Sequence, residues 1–103
     1  MTEQFAIHYA PQRVKERGFE KFRLDYRDIS VNSKETREIM AYNEIWFVVE
    51  AGPGIRVNSD YGLYSPFDPF IEENMHEHGD RIVIENISRR IDKVKFIVIV
   101  LEA

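Results

Sequence analysis

The sequence predicts an all-β protein, a small antiparallel β-sandwich or flattened barrel of about seven to eight strands. Residues 81–101 indicate this most clearly, because two apolar stretches flank a polar turn and the second stretch is apolar at nearly every position. A strand with two apolar faces is expected in a sheet that is covered on both sides. In a chain of 103 residues the simplest covering layer is another antiparallel sheet.

The chain has the length and composition of one β domain spanning residues 1–103. Its hydrophobic content of 44% includes seven Phe, five Tyr and one Trp, more than a disordered chain carries. The absence of Cys excludes disulfides, thiolate zinc sites and a cysteine nucleophile, and leaves the compartment open. Neither a signal peptide nor a membrane span is predicted, so we expect a soluble protein of the cytoplasm or a virion. The net charge of −4 argues against a generic nucleic-acid binder.

Alternation and turn residues divide the first half of the chain. Residues 4–9 alternate and predict a first strand that Pro11 ends. Residues 12–17 form either one helical turn closed by Gly18 or a basic loop. A strand with one face in water follows at residues 22–26. Residues 33–40 form either a short helix, suggested by Asn32 as a cap with Glu35 three positions later, or an exposed loop.

The second half of the chain contains the most apolar strands. Residues 44–50 predict a buried strand in which Trp46 anchors the core, and Gly and Pro at residues 51–54 predict a turn before a strand at residues 55–58. Residues 59–70 hold four aromatics broken by Gly and Pro, which excludes a regular strand. Residues 78–80 predict a turn between a strand through Met75 and a strand at residues 81–87. Residues 88–92 turn into the last strand.

Charge is segregated along the sequence. Residues 11–37 contain eight Lys or Arg and five acids, whereas residues 60–80 contain six acids and no Lys or Arg. Such segments are either solvated surface, or they pair within the fold, or they form complementary patches that steer copies or partners together.

No constellation of catalytic or metal-binding residues emerges from the sequence. His76 and His78 would leave the same face of a strand and could supply two metal ligands. A third ligand would have to come from His8 or a carboxylate such as Glu73, and His78 lies next to a predicted turn, so we predict no metal and no cofactor. Neither a phosphate-binding loop nor a nucleophile with an adjacent base is found, which indicates a non-enzymatic protein. A small enzyme that uses one or both histidines is a third possibility.

The best candidate for a functional surface is the aromatic loop at residues 59–70, together with the basic residues near the N-terminus. The predicted partner-binding residues are Tyr61, Leu63, Tyr64, Phe67, Phe70, Arg13, Lys15 and Arg17. Tyr and Phe anchor protein interfaces, and basic side chains can fix the orientation of a partner. The alternative is that the loop folds its aromatics over an open end of the sandwich as core.

These features together predict a structural or accessory subunit of a larger protein assembly, for example a virion decoration or a component of a tail-like machine. Its partners would be other protein subunits or copies of itself in a homo-oligomer, and no nucleic acid or membrane. The alternative is a β-sandwich module that binds carbohydrate or another small ligand. Tyr61 and Tyr64 would then stack on a sugar, and Asp60 or Asp68 would accept its hydroxyl groups.

Overall fold

One helix and six strands make up the part of the chain that the computed structural model describes, residues 3–65 and 77–102. In chain order they are α1 (Glu3–Glu16), β1 (Lys21–Val31), β2 (Thr36–Ala51), β3 (Ile55–Ser59), β4 (Gly62–Tyr64), β5 (Glu77–Asn86) and β6 (Asp92–Glu102). The strands form a single sheet in the order β1-β6-β2-β5-β3-β4, with every neighbouring pair antiparallel. The predicted all-β antiparallel class is confirmed, with six strands in these residues rather than seven to eight.

The sheet curls because β2 is long and bent. Residues 36–41 of β2 pair with β5, residues 44–51 pair with β6, and Trp46 and Phe47 pair with both strands. The register shifts between Ala41 and Trp46 and again between Val48 and Glu50, and Asn43 has a φ of 60°. Such irregularities bend a strand and increase its twist, so the two halves of the sheet turn towards each other. This arrangement is consistent with the predicted small sandwich or flattened barrel.

The inner core lies within the curl of the sheet. It consists of Val31, Ala41, Trp46, Val48, Ile55, Val57, Tyr64, Ile82, Ile84, Val94, Phe96 and Val98. The Trp46 side chain is 4% exposed, and its ring meets Phe96 edge-on with centroids 5.0 Å apart. Trp46 is therefore the core anchor that the sequence predicted.

The helix core lies on the opposite face of β6 and of the second half of β2. It consists of Ala10, Val14, Ile45, Phe47, Ile97, Ile99 and Leu101. β6 thus buries side chains on both faces, as its apolar sequence predicted. On this side the covering layer is α1 rather than a second sheet.

The N-terminal segment corrects the predicted strand at residues 4–9, because these residues belong to α1. The helix continues through Pro11, whose side chain is exposed, and ends at Glu16. Gly18 then adopts a φ of 80°, with hydrogen bonds from Gly18 N to Lys15 O and from Phe19 N to Val14 O. These bonds form a Schellman motif, which closes the helix at the glycine that the sequence marked. In the part of the chain that the structure describes, no helix has the length and apolar character needed to span a membrane.

Of the two alternatives for residues 33–40, the short helix is wrong, because these residues form a turn and the start of β2. Glu35 Oε1 accepts a hydrogen bond from Asn32 N at 3.1 Å, which is the contact that a helix-capping Glu would make. Here the contact closes a turn, in which Lys34 has a φ of 61°. Pairing with β5 then extends the chain as a strand.

The predicted turn at residues 78–80 is also wrong, because β5 runs without a break from Glu77 to Asn86. Gly79 is explained by packing, since a Cβ atom there would lie 2.5 Å from Cε2 of Tyr61. The predicted strand through Met75 lies outside the described residues. The strands predicted at residues 22–26, 44–50 and 55–58 are confirmed as parts of β1, β2 and β3.

Candidate functional site

One face of the sheet carries no covering element among the residues that the structure describes. This outer face belongs to the first half of β2 and to β5, β3 and β4, and it points away from the inner core. The strand registers place one residue from each strand in a single row, namely Glu38, Val83, Asn58 and Leu63. The outer face is defined here as that row together with Met40, Arg56, Arg81 and Glu85.

Strand alternation places these side chains on the outer face. In β5 the buried Ile82 and Ile84 point into the inner core, so the residues between them and beside them point outwards. The side chains of Met40 and Leu63 are 56% and 48% exposed. Exposed apolar side chains therefore lie on both outer strands of this face, with Val83 and polar side chains of β5 and β3 between them.

Two ion pairs lie across the strands between Met40 and Leu63. Arg81 Nη2 donates to Glu38 Oε2 at 2.8 Å, and Arg56 Nη1 lies 3.8 Å from Glu85 Oε1. The hydrogen bond from Arg81 lowers the pKa of Glu38 and raises that of Arg81, so this pair stays charged around neutral pH. Exposed pairs of this kind add little stability, but they orient two arginines beside apolar side chains.

The outer face contains an open depression of 210 Å³, lined by Arg56, Asn58, Leu63, Val83 and Glu85. Pockets that enclose drug-sized molecules usually measure roughly 300–1,000 Å³. The depression is smaller, so it suits one or two side chains of a protein partner better than a whole small molecule.

A larger open depression of 420 Å³ lies elsewhere on the surface, lined by Asp28, Ser30, Glu50, Lys93, Val94 and Lys95. None of these six residues is aromatic, so no ring there could stack on a sugar. Two acidic and two basic side chains are among them, which gives no preference for an anionic or a cationic ligand.

The structure separates the predicted aromatic residues from one another. Tyr64 packs in the inner core, and burial raises the pKa of its hydroxyl. The ring of Tyr61 lies against Gly79, with the guanidinium of Arg17 4.5 Å from the ring centroid. Leu63 is exposed on the outer face.

Several other predicted positions lie outside the described residues, namely Phe67, Phe70 and Asp68. The roles assigned to them as interface anchors or sugar ligands stay predictions. The two tyrosines proposed to stack on a sugar are engaged in contacts within the domain.

Two of the three predicted basic residues pair within the fold. Arg13 Nη2 lies 3.1 Å from Glu77 Oε2, and Arg17 Nη2 lies 3.8 Å from Glu77 Oε1. Burial raises the pKa of Glu77, while the charges of Arg13 and Arg17 oppose that rise. The segregated charges therefore pair in part between the helix and β5. Lys15 remains exposed to solvent.

Ser59 and His78 form a polar contact between β3 and β5. Ser59 Oγ lies 2.8 Å from Nδ1 of His78, a distance at which a histidine can activate a serine. The hydroxyl oxygen also accepts a hydrogen bond from Tyr61 N at 3.2 Å. Because His78 is fully buried opposite Trp46, a substrate has no direct route to the imidazole. This contact ties two strands together, and the absence of enzymatic activity stays a prediction.

The two-histidine arrangement cannot be traced, because His76 lies outside the described residues. Among residues 3–65 and 77–102, no group of three His, Asp or Glu side chains is placed to hold a metal ion. The absence of metals and cofactors stays a prediction.

Sequence reasoning did not find the outer face. The signal was present in β5, where Arg81, Val83 and Glu85 alternate with buried isoleucines, but the neighbouring strands could not be assigned. The face combines four separate segments of the sequence, and only the sheet register brings them together.

In comparisons with known proteins, no family model, curated protein or solved structure matches the chain. Function is therefore inferred from the geometry of the surface alone.

Proposed function

We propose that this protein is a non-enzymatic structural or accessory subunit that binds other protein subunits of a larger assembly. The observation that supports this proposal is the outer face, where exposed Met40 and Leu63 lie among oriented arginines. Methionine and arginine are enriched at protein interfaces, whereas Lys, Glu and Asp are depleted at their centres.

The outer face combines exposed apolar side chains on β2 and β4 with charged side chains on the strands between them, a mixture that suits a protein interface. Burying Met40 and Leu63 against a partner would contribute roughly 1 kcal/mol each, because about half of either side chain is still exposed. Arg56 and Arg81 can offer further donors to acidic or carbonyl groups of the partner. Such a surface suits a modest interface within an assembly that holds several subunits.

The niche of a virion decoration or a tail-like machine belongs to this proposal as an example, because such assemblies use small β domains. Of the predicted aromatic loop, Leu63 contributes directly to the outer face. The role of Phe67 and Phe70 as further interface anchors stays a prediction from the sequence.

Affinity capture with matched variants tests the proposal. The purified chain would be immobilised and exposed to an extract of the source cells and particles, with captured proteins quantified by mass spectrometry. Leu63→Arg and Met40→Arg should each reduce the capture of the same partner by at least about tenfold, because each places an unpaired charge in an apolar contact.

Ile91→Arg is the matched control, because Ile91 is an exposed apolar side chain, 69% accessible, in the loop before β6 and away from the outer face. It should leave capture unchanged. Equal capture by all four proteins, or capture of no specific protein by wild type, would contradict the proposal.

A further inference from the structure

The strand β1 forms one edge of the sheet and pairs only with β6 among the strands that the structure describes. It is 11 residues long, whereas β4 at the other edge has only three. Its register with β6 continues without a shift from Lys21 to Val31, and it contains neither Pro nor Gly. A long and regular edge strand presents alternate N–H and C=O groups to solvent and can template another strand.

The open part of this edge stops short of Val31. There Asn86 Nδ2 donates to Val31 O at 2.9 Å, so the end of β1 is tied to β5. The side chains that precede this end are accessible, with Tyr26 50% exposed and Arg27 and Asp28 also exposed. Residues 21–30 therefore form the available edge.

We propose that two copies of this chain pair antiparallel through β1. The two-fold axis of this pair would pass between Tyr26 of one copy and Tyr26 of the other. Residues directly opposite each other in an antiparallel pair point to the same face of the sheet. The two-fold axis must therefore relate a residue to its own copy directly across the pair, and cannot lie at the midpoint between two consecutive residues. The axis at Tyr26 places Asp25 opposite Arg27 of the second copy, and Arg27 opposite Asp25 of the second copy. Two attractive cross-strand pairs result.

The neighbouring registers are disfavoured by charge. An axis at Asp25 would place the Asp25 side chains of the two copies opposite each other, and Arg23 opposite Arg27 of the second copy. An axis at Arg27 would place the Arg27 side chains of the two copies opposite each other. Like charges directly opposite each other destabilise a strand pair, so the charges of β1 select the register at Tyr26.

The same register is compatible with the helix. Phe22 and Leu24 pack against the helix core at one end of β1. In the paired sheet they would lie opposite Ser30 and Asp28 of the second copy, so the two helices would lie towards opposite ends of the interface. The two Tyr26 rings would meet at the axis, on the same face.

This inference rests on the proposed function, since it names a second copy as one of the bound subunits. It uses β1, whereas the outer face lies on the strands at the other end of the sheet order. One surface can therefore fail its test while the other passes.

The test is light scattering and sedimentation equilibrium of the purified chain up to about 1 mM, at low and high salt. Wild type should form a concentration-dependent dimer that weakens with salt. Asp25→Arg and Arg27→Asp should each weaken it by at least roughly tenfold, because two attractive pairs become two repulsive ones. Arg89→Asp, an equal charge change in an exposed loop, is the control for Arg27→Asp and should have no such effect.

Mixing the two β1 variants separates a contact between chains from one within a chain. Asp25 and Arg27 already form an ion pair inside each strand, and either single substitution removes it. In the mixture every cross-strand pair is again attractive, although neither chain regains its internal pair. A one-to-one heterodimer is the expected result. A wild type that stays monomeric, a dimer that neither substitution weakens, or variants that do not associate when mixed would each overturn the inference.

Discussion

Asn86 should be the most sensitive polar position in the described fold. Its side chain is fully buried where β5 ends, and four hydrogen bonds satisfy it. Nδ2 donates to Val31 O at 2.9 Å and to Arg90 O at 2.8 Å, while Oδ1 faces Ser88 N at 2.9 Å and Ser88 Oγ at 2.6 Å. The amide thus joins the end of β1, the end of β5 and the loop that leads to β6.

The expected loss follows from these contacts. Each hydrogen bond contributes roughly 0.5–1.5 kcal/mol, and Asn86→Ala would also remove the amide donor from Val31 O, so we expect a loss of about 3–5 kcal/mol. A domain of this size has only about 5–15 kcal/mol of stability. At about 4–8 °C per kcal/mol, the Tm should fall by at least roughly 12 °C.

Asn86→Asp tests the hydrogen-bond direction with almost no change in volume. Above its pKa the new carboxylate would face two carbonyl oxygens, so the variant should be less stable than Asn86→Ala at pH 7. Its folded-state pKa should be raised above about 3.9, so stability should recover as pH falls towards that value, where the protonated acid can donate one bond.

Equilibrium urea unfolding measures both variants through the fluorescence of Trp46, the single and buried tryptophan. Asn58→Ala and Asn58→Asp, at an exposed position of the outer face, are the matched controls and should change stability by about 0.5 kcal/mol or less. If Asn86→Ala cost less than about 1 kcal/mol, or if Asn86→Asp matched wild type at pH 7, the network would not be holding these elements together.

Three further predictions concern packing and charge. Phe96→Ala should cost about 3–5 kcal/mol in the same unfolding assay, because the ring is fully buried against Trp46, and a loss below about 1 kcal/mol would contradict that packing. Gly79→Ala should cost about 1–3 kcal/mol, since its Cβ would lie 2.5 Å from the Tyr61 ring; unchanged ring chemical shifts in NMR spectra would show that the contact is absent. Burial raises the pKa of Glu77 above 4.5, so wild type should gain stability relative to Glu77→Gln as pH falls from 7 towards 4.5. Urea titrations would refute this if the difference in unfolding free energy between the two proteins stayed constant or changed in the opposite direction.

The strands that sequence reasoning predicted correctly have a burial pattern that is visible in the local sequence; residues 22–26 of β1, for example, alternate between apolar and polar. β6 is apolar on both faces, and the second half of β2 is apolar around Trp46, so a continuous apolar run indicated a buried strand in each. The turn at residues 51–54 was also predictable from its Gly and Pro residues. In the structure Gly52 O accepts a hydrogen bond from Ile55 N, as a tight turn requires.

α1 could not be predicted, because its sequence has a strand-like alternation at residues 4–9 and a Pro inside. Isolated helices of this length are marginal in water, and most helical stability comes from tertiary packing. Here Ala10 and Val14, four residues apart, pack against Phe47 and its neighbours in the helix core. That contact depends on the sheet, so only the three-dimensional arrangement specifies the helix.

The candidate surfaces were partly hidden for a related reason. Leu63 was predicted as an interface residue from its place in an aromatic loop, whereas Met40 and Val83 carry no local signal. They become neighbours because β2 and β5 pair at positions more than forty residues apart in the sequence. By contrast, the pairing of basic and acidic segments was an alternative that the charge pattern already contained, and Arg13 with Glu77 realises it.

The bend in β2 accounts for both proposed surfaces. β1 and β2 are consecutive in the chain, yet they do not pair, because the first half of β2 turns away to β5 and its second half lies on the far side of β6. In the described part of the chain the sheet curls without β1 pairing to β3 or β4, and the hydrogen bond from Asn86 to Val31 links the end of β1 to the opposite half. The remainder of β1 is left as an edge, and its alternating charges disfavour a general strand partner while they match a second copy in one register. The same curl turns the other face of β5 outwards, so Met40, Val83 and Leu63 are left for a different partner.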